Sequence, residues 1–235
     1  MYIKPDGRID AALREAGGCG VLCDIGADHG KLPVLAVLRG AAKRAIATDI
    51  SEKSLQKAVR LAESAGVSDR IEFRRGDGFE AVDFFEADVF VVAGMGGRSI
   101  ADILRGRKPL KKNKFILIPH QNSRELRHFL IESGYEILKD AITEQSGKYY
   151  DVVTAKYIGQ PTNSEYLDNR DDRGALYSEF GRDNFFFDNP DFLKMLLKKR
   201  NEFDNALKTR YNIVCKKKRD AVDAAIALYA DKKKI

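Results

Sequence analysis

The stretch VLCDIGADHG, residues 21–30, decides how the fold is read. Apolar Val21, Leu22, Cys23 and Ile25 run into Gly26 and Gly30, and a helical pattern follows over 31–39. That order predicts strand, tight turn and helix, which turns free backbone N–H groups and a helix N-terminus toward a ligand. Asp24 and Asp28 stand inside the turn, so a phosphate is a poor occupant. A ligand carrying hydroxyls and a positive charge suits it better.

Outward from this stretch, strands and helices alternate. A second apolar strand is predicted at 44–49, then a helix over 52–65 opened by Ser51 as N-cap and closed by Gly66. A short strand at 71–74 leads into Gly76-Asp77-Gly78. ADVFVVA, 87–93, is the nearly continuous apolar run of a strand buried on both faces, and it ends in GMGG. A strand at 115–119 and a helix at 123–133 follow. Two further strands, 135–144 and 149–158, are joined through Gly147 as an antiparallel hairpin. Alternation of this kind specifies an α/β fold, a mostly parallel sheet with one antiparallel strand near the end and helices on both faces. Such a sheet binds ligands at the carboxyl ends of its strands. The expected organisation is a ligand-binding domain over 1–159, a polar linker over 160–189, and a helical hairpin over 190–235. The hairpin's helices span 191–209 and 214–232.

The 235 residues carry a net charge of +6, and its location matters more than its size. From Lys194 onward thirteen Lys/Arg face five Asp/Glu, so the whole positive excess lies in the tail. A block of that kind suits either a phosphate backbone or the solvated face of a helical hairpin. A second basic run, from Arg98 to Lys114, holds seven cations against Asp102 alone and begins beside GMGG. Three cysteines (Cys19, Cys23 and Cys215) form neither a disulfide framework nor a zinc spacing, and no metal site is expected. No apolar run approaches the roughly 20 residues of a membrane span, and the N-terminus lacks a signal-peptide core. A cytoplasmic protein, a monomer or a weak dimer, is expected.

The site residues come next. Asp49 ends the second strand about 20 residues after the turn, where an acid accepts from ribose hydroxyls in dinucleotide and nucleoside sites alike. A nicotinamide dehydrogenase would share that feature. Asp28, standing where a pyrophosphate turn needs glycine, argues against one. So does Asp77, an acceptor for an adenine amine, and so does the closing antiparallel pair. These features suit S-adenosylmethionine, which has ribose hydroxyls, an ammonium and a sulfonium but no phosphate. The small residues of GMGG, 94–97, let a planar ring approach closely.

DIGADHGKLP (24–33), GDGFE (76–80), AGMGG (93–97) and GKYYDVVTAKY (147–157) together resemble the bacterial tRNA (adenine-22-N1)-methyltransferases. The resemblance runs the length of the chain, through NPDFLKMLLKKRNEFDNAL in the tail, and departs from the family at PHQN, 119–122. It implies a Rossmann-like class I methyltransferase sheet with a C-terminal coiled-coil hairpin, S-adenosyl-L-methionine as cofactor and tRNA as partner. Position by position, it implies that Asp24, Gly26, Asp28 and His29 line the cofactor's methionine end. Asp49 then takes the ribose, Ile50 lies against the adenine, and Asp77 and Gly78 meet the adenine amine. Gly94, Met95, Gly96 and Gly97 border the target base. Asp28, then His29, are the candidates to stabilise the cationic product. Arg98, Arg105, Arg107, Lys111, Lys112, Lys198, Lys199 and Lys217 are the candidate RNA contacts. A small-molecule methyltransferase and a catalytically inactive RNA-binding protein on the same fold are the alternatives.

Overall fold

The computed structural model describes residues 3, 6–161, 165–167 and 172–232. Its centre is a seven-stranded sheet. The strands are β1 (Cys19–Ile25), β2 (Ala42–Asp49), β3 (Ile71–Arg75), β4 (Val89–Ala93), β5 (Lys114–Ile118), β6 (Tyr135–Gln145) and β7 (Lys148–Tyr157). Their spatial order is β3-β2-β1-β4-β5-β7-β6, parallel throughout except for β7, which runs antiparallel to both its neighbours. The order reverses between β1 and β4, and there the strand ends leave a crevice for a ligand.

Side-chain alternation explains why the central strands read as unbroken apolar runs. Leu22, Val89, Val91, Ile116 and Ile118 point to one face, packed under α1 (Gly7–Ala16) and α2 (Lys31–Leu38). Cys23, Ile25, Phe90, Val92, Phe115 and Leu117 point to the other, under α4 (Gly97–Leu104) and α5 (Ser123–Glu132). Beside α2 on the first face, α3 (Glu52–Ser64) covers β2 and β3, its N-cap Ser51 accepting from the Ser54 N–H as expected. Phe90 and Phe115 are fully buried and stacked 5.5 Å apart. Each such side chain contributes about 1.5–3 kcal/mol by leaving water.

In the segment 160–189, expected as a linker, the described residues are folded into the body. It holds α6 (Arg173–Phe180) and α7 (Asp183–Phe186), and Tyr166, Leu176, Phe180 and Phe185 are buried in the same core as the sheet. Its polar composition hid this because the segment is fastened largely by a buried polar network. Arg127 on α5, fully buried, donates through Nε and Nη2 to Asp140 at 2.7 and 2.8 Å. It also reaches Asp151 at 2.5 Å and the Ser178 carbonyl at 2.9 Å. Tyr166 donates to the same Asp140, and Asp183 accepts from the Asp140 N–H. Burial works against the guanidinium charge, but Asp140 and Asp151 outweigh it and hold Arg127 protonated.

The hairpin is present as expected, in α8 (Pro190–Thr209) and α9 (Ile213–Lys232). Phe192, Met195 and Leu196 at the start of α8, with Val222, Ala225 and Tyr229 late in α9, root it in the main core rather than in a core of its own. Toward the turn it is held by Arg219–Asp204 and Arg200–Asp223, each at 3.0 Å, while Tyr211, Ile213 and Val214 are exposed. Lys233 and Lys234, counted in the basic tail, lie outside the described residues.

Candidate functional site

Two clefts open at the carboxyl ends of the strands. The first, about 450 Å³, sits at the point where the strand order reverses. Asp24 and Gly26 line it from β1 and its turn, with Asp28 and His29 beyond them. Asp49 lines it from β2, Gly94 and Met95 from β4, and Asp6, Arg8 and Lys31 from the starts of α1 and α2.

The turn works as its composition demands. Gly26 has φ +75°, and a Cβ there would lie 2.6 Å from the Met95 methyl, so the first turn and the fourth strand's end meet across a missing side chain. Asp28 takes φ +48°, unusual for a residue with a side chain. It is held there by Asp49, whose Oδ2 accepts from the Asp28 N–H at 2.8 Å while Oδ1 accepts from the Ser51 N–H at 2.8 Å.

Asp24 is 4% exposed, and among the described residues its carboxylate accepts no hydrogen bond. Burial, with Asp49 and Asp28 adding to it, pushes its pKa up to about 7. A buried carboxylate left unpaired is costly unless a ligand supplies the donor. With Asp6, Asp24, Asp28 and Asp49 on its walls, the cleft repels a pyrophosphate and attracts a cationic, hydroxyl-bearing group. Its volume lies within the usual range for small-ligand sites. Among the described residues no cluster of three His, Cys, Asp or Glu could hold a metal ion.

The structure moves several expected residues. His29 is held between Asp28 at 3.1 Å and Lys57 of α3 at 3.0 Å, on the β2 side of the cleft and away from the β4–β5 mouth. Ile50, Asp77 and Gly78 lie outside the lining of the cleft, beside it at the ends of β2 and β3. There the Gly76 N–H donates to the Asp49 carbonyl, Arg75 reaches the Ile50 carbonyl, and Ile50 and Asp77 are exposed. Gly96 faces Gln121, and Gly97 packs so tightly on Asn122 that a Cβ would lie 2.2 Å from its carbonyl oxygen.

The basic run after Arg98, expected beside the site, lies mostly away from it. Because β4 and β5 are parallel, the chain between them must return to the opposite end of the sheet. Arg105, Arg107, Lys111 and Lys112 therefore lie at the far end from the clefts. Lys112 is 4.0 Å from Asp88, just before β4, and Asn113 holds the Phe84 and Ala87 carbonyls at 2.9 Å. Only Arg98 stays at the mouth, 2.8 Å from Glu125.

The second cleft, about 800 Å³, supplies what that run does not. It lies between the loop after β5, the β6–β7 turn and the hairpin. Its cations are Arg124, Lys148, Lys198, Lys199 and Lys218, with Tyr149 and Tyr150 between them. Of its four acids, Asp151 is bound by Arg127 and Ser123 and Glu125 by Arg98, which leaves Glu179 and Glu202 to offset five cations. Lys217, exposed on α9, lines neither cleft. The two clefts touch where His120 Nδ1 lies 3.1 Å from the Gly94 carbonyl and where Arg8 stacks 5.1 Å over Tyr150. Sequence reasoning misses Arg124, Lys148, Tyr149, Tyr150 and Lys218, like Asp6, Arg8 and Lys31 in the first cleft, because no single stretch of sequence carries them together.

The sheet order and the acid-rimmed cleft at the switch point are those of the Rossmann-like methyltransferases. The family described as "Methyltransferase domain" matches residues 6–153. A Bacillus subtilis (strain 168) protein named tRNA (adenine(22)-N(1))-methyltransferase is 38% identical over 138 residues, 58% of this chain and 58% of that one. The matched part thus spans little over half of that relative's length. Among solved structures, the B. subtilis M1A22 tRNA methyltransferase TrmK superposes with a TM-score of 0.75 at 27% identity, covering 98% of this chain and 99% of that one. Streptococcus pneumoniae Sp1610, described as a proposed tRNA (m1A22) methyltransferase and crystallised with S-adenosyl-L-methionine, gives 0.78 at 30% identity, covering 92% and 97%. The chain belongs to the methyltransferase-domain family and, within it, to the bacterial tRNA (adenine-22-N1)-methyltransferase group.

Proposed function

We propose that the protein is an S-adenosylmethionine-dependent tRNA methyltransferase that forms 1-methyladenosine, with adenosine 22 of the D-arm region as its target. The observation that carries this reading is the unpaired, buried Asp24 at the centre of an acidic cleft that adjoins a cationic one. The S. pneumoniae relative's bound S-adenosyl-L-methionine supports the cofactor, and the relatives' names support the substrate.

When bound, S-adenosylmethionine supplies a methyl group made electrophilic by a sulfonium. The chain's residues do the rest. Asp24 and Asp28 face the cationic amino-acid end, and Asp49 has lone pairs left for the ribose hydroxyls beyond the two N–H groups it already accepts. Ile50 and Asp77 extend this line toward the adenine. Gly94 and Met95 border the space between the two clefts, where the target base enters. Adenine N1 is unprotonated at neutral pH, so alignment rather than prior proton removal is the main requirement. Since N1 lies on the pairing edge, the base must leave its stack at a cost of a few kcal/mol. Phosphate contacts from Lys198, Lys199, Lys218 and Arg124 offset that cost. Asp28 and His29, tied to the β2 side, act on the cofactor rather than on the base.

Incubating the protein with unmodified tRNA and methyl-labelled S-adenosylmethionine, then analysing nucleosides, tests the proposal. Labelled 1-methyladenosine is expected, and it should disappear when adenosine 22 is replaced by guanosine. Label found only in small molecules would make this a small-molecule methyltransferase. tRNA binding without any transfer would make it an inactive RNA-binding member of the fold.

A further inference from the structure

The sequence departs from its family at PHQN, 119–122, and the proposed function gives that departure no task. The fold puts it on the wall between the two clefts. The His120 N–H donates to the Met95 carbonyl at 3.0 Å, and the Gly97 N–H donates to the Gln121 carbonyl at 2.7 Å. Past Asn122, at φ +59°, the Ser123 hydroxyl donates to Asp151 at 2.6 Å. The loop is thus pinned to the end of β4 on one side and to β7 on the other.

Within this loop the imidazole of His120 is held by one edge. Nδ1 lies 3.1 Å from the Gly94 carbonyl oxygen. A carbonyl can only accept, so Nδ1 carries the hydrogen, and the neutral ring is left with Nε2 as a bare acceptor. Nε2 has no partner among the described residues, and the ring is exposed on the lining of the second cleft. Gly94 and Met95, against which the histidine is held, line the first cleft. A fixed acceptor therefore stands where the target base enters. Its neighbour Gln121 is less selective, because an amide can offer either a donor or an acceptor.

Adenine carries a donor beside N1, its 6-amino group, where guanine carries an oxygen. As N1 gives its lone pair to the methyl carbon and the carbon–sulfur pair returns to sulfur, the ring becomes cationic. The 6-amino hydrogens then gain positive charge and become stronger donors. A contact to them is tighter in the transition state than in the substrate, which is what speeds the step.

We propose that His120, through Nε2, accepts a hydrogen bond from the 6-amino group of the target adenine and so sets the protein's preference for that base. This rests on the tRNA (adenine-N1) reading above. Gly94, by taking up the Nδ1 hydrogen, fixes the acceptor's direction. With guanine in its place, two acceptors would face each other.

Single-turnover methyl transfer to two tRNAs tests the assignment. One carries adenosine at position 22, the other purine riboside, which keeps N1 but lacks the 6-amino group. Wild type should prefer adenosine. His120→Ala should slow transfer to adenosine about tenfold, as for one charge-assisted hydrogen bond, and slow transfer to purine riboside by less than about twofold. Gln121→Ala should keep the wild-type ratio of the two rates. Comparing ratios between proteins cancels the bases' intrinsic difference in nucleophilicity, and a merely loosened site would slow both substrates alike. Cofactor affinity and thermal unfolding check the fold. Equal losses on both tRNAs in His120→Ala, or a ratio that collapses in Gln121→Ala instead, overturn the assignment. So does a ratio that His120→Ala leaves unchanged, or a wild type indifferent to the amino group. A wild type that methylates neither tRNA overturns the tRNA reading itself and the role of His120 with it.

Discussion

The two clefts differ in how the chain builds them. The first is made almost wholly of strand ends and the turns that follow, so its residues sit within a few positions of an apolar run: Asp24 after Cys23, Asp49 at the end of β2, Gly94 after β4. The second is assembled from the loop after β5, the β6–β7 turn and two helices about 50 to 70 residues further on. One cleft is acidic and buries a carboxylate deeply enough to raise its pKa; the other is cationic, aromatic and larger. A site written into local turns is legible in sequence. A site made by docking a distant hairpin is not.

The largest expected effect tests that contrast directly. Reversing three cations of the second cleft, in the triple variant Lys198→Glu, Lys199→Glu and Lys218→Glu, should weaken tRNA binding roughly 10²–10³-fold by gel shift and leave cofactor affinity within twofold. Reversing Arg107, Lys111 and Lys112 at the far end of the sheet should change tRNA binding by less than threefold. Equal losses from both variants would restore the basic run after Arg98 as an RNA contact. Activity on tRNA should also fall steeply with added salt, and a flat response would remove the phosphate contacts from the account.

Next in size is Asp49→Ala. It removes both the ribose acceptor and the carboxylate that holds Asp28 at positive φ, and cofactor affinity should drop about 10- to 100-fold, as for losing charged hydrogen bonds. Calorimetry would read it. A loss below threefold would separate the β2 acid from the cofactor.

The smallest effects come from Asp24 and depend on pH. Its folded-state pKa of about 7 lies above the ordinary value of 3.8, so between these limits the folded chain binds a proton that the unfolded chain does not. Stability without ligand should therefore decline as pH rises through that window and level off above about 7. Asp24→Asn should be more stable than wild type by up to ~4 kcal/mol at pH 8 and no more stable at pH 4, measured by urea unfolding. Affinity for a cationic cofactor should move the other way, rising up to about tenfold from pH 6 to pH 8 as Asp24 ionises. A pH-independent affinity would take Asp24 out of contact with the ligand's charge.

The alternation of strands and helices, the antiparallel β7, the hairpin with its turn near 210–213 and the acids of the first cleft all follow from local patterns. Buried runs, helix caps and turn glycines are properties of a few neighbouring residues, and Ser51, Gly26 and Ile46 carry them without help from the rest of the chain. The linker expectation failed for a physical reason. Tyr166 and Asp183 look like solvated polar positions until Asp140, far away in sequence and itself bound by Arg127, is seen to pair with both in the core. The basic run after Arg98 failed for another, because sequence proximity to GMGG does not survive the return of α4 along the sheet.

The amino-acid sequence by itself therefore determined the alternation of strands and helices, the closing antiparallel pair and the acidic turn, since each depends on contacts short in sequence. Only the tertiary structure decided the strand order, which cations face the ligand side, why Tyr166, Leu176, Phe180 and Phe185 are core, and that Arg8 on α1 reaches the cleft built by β1, β2 and β4. Those depend on where strands pair and helices dock, and electrostatics acts through space rather than along the chain.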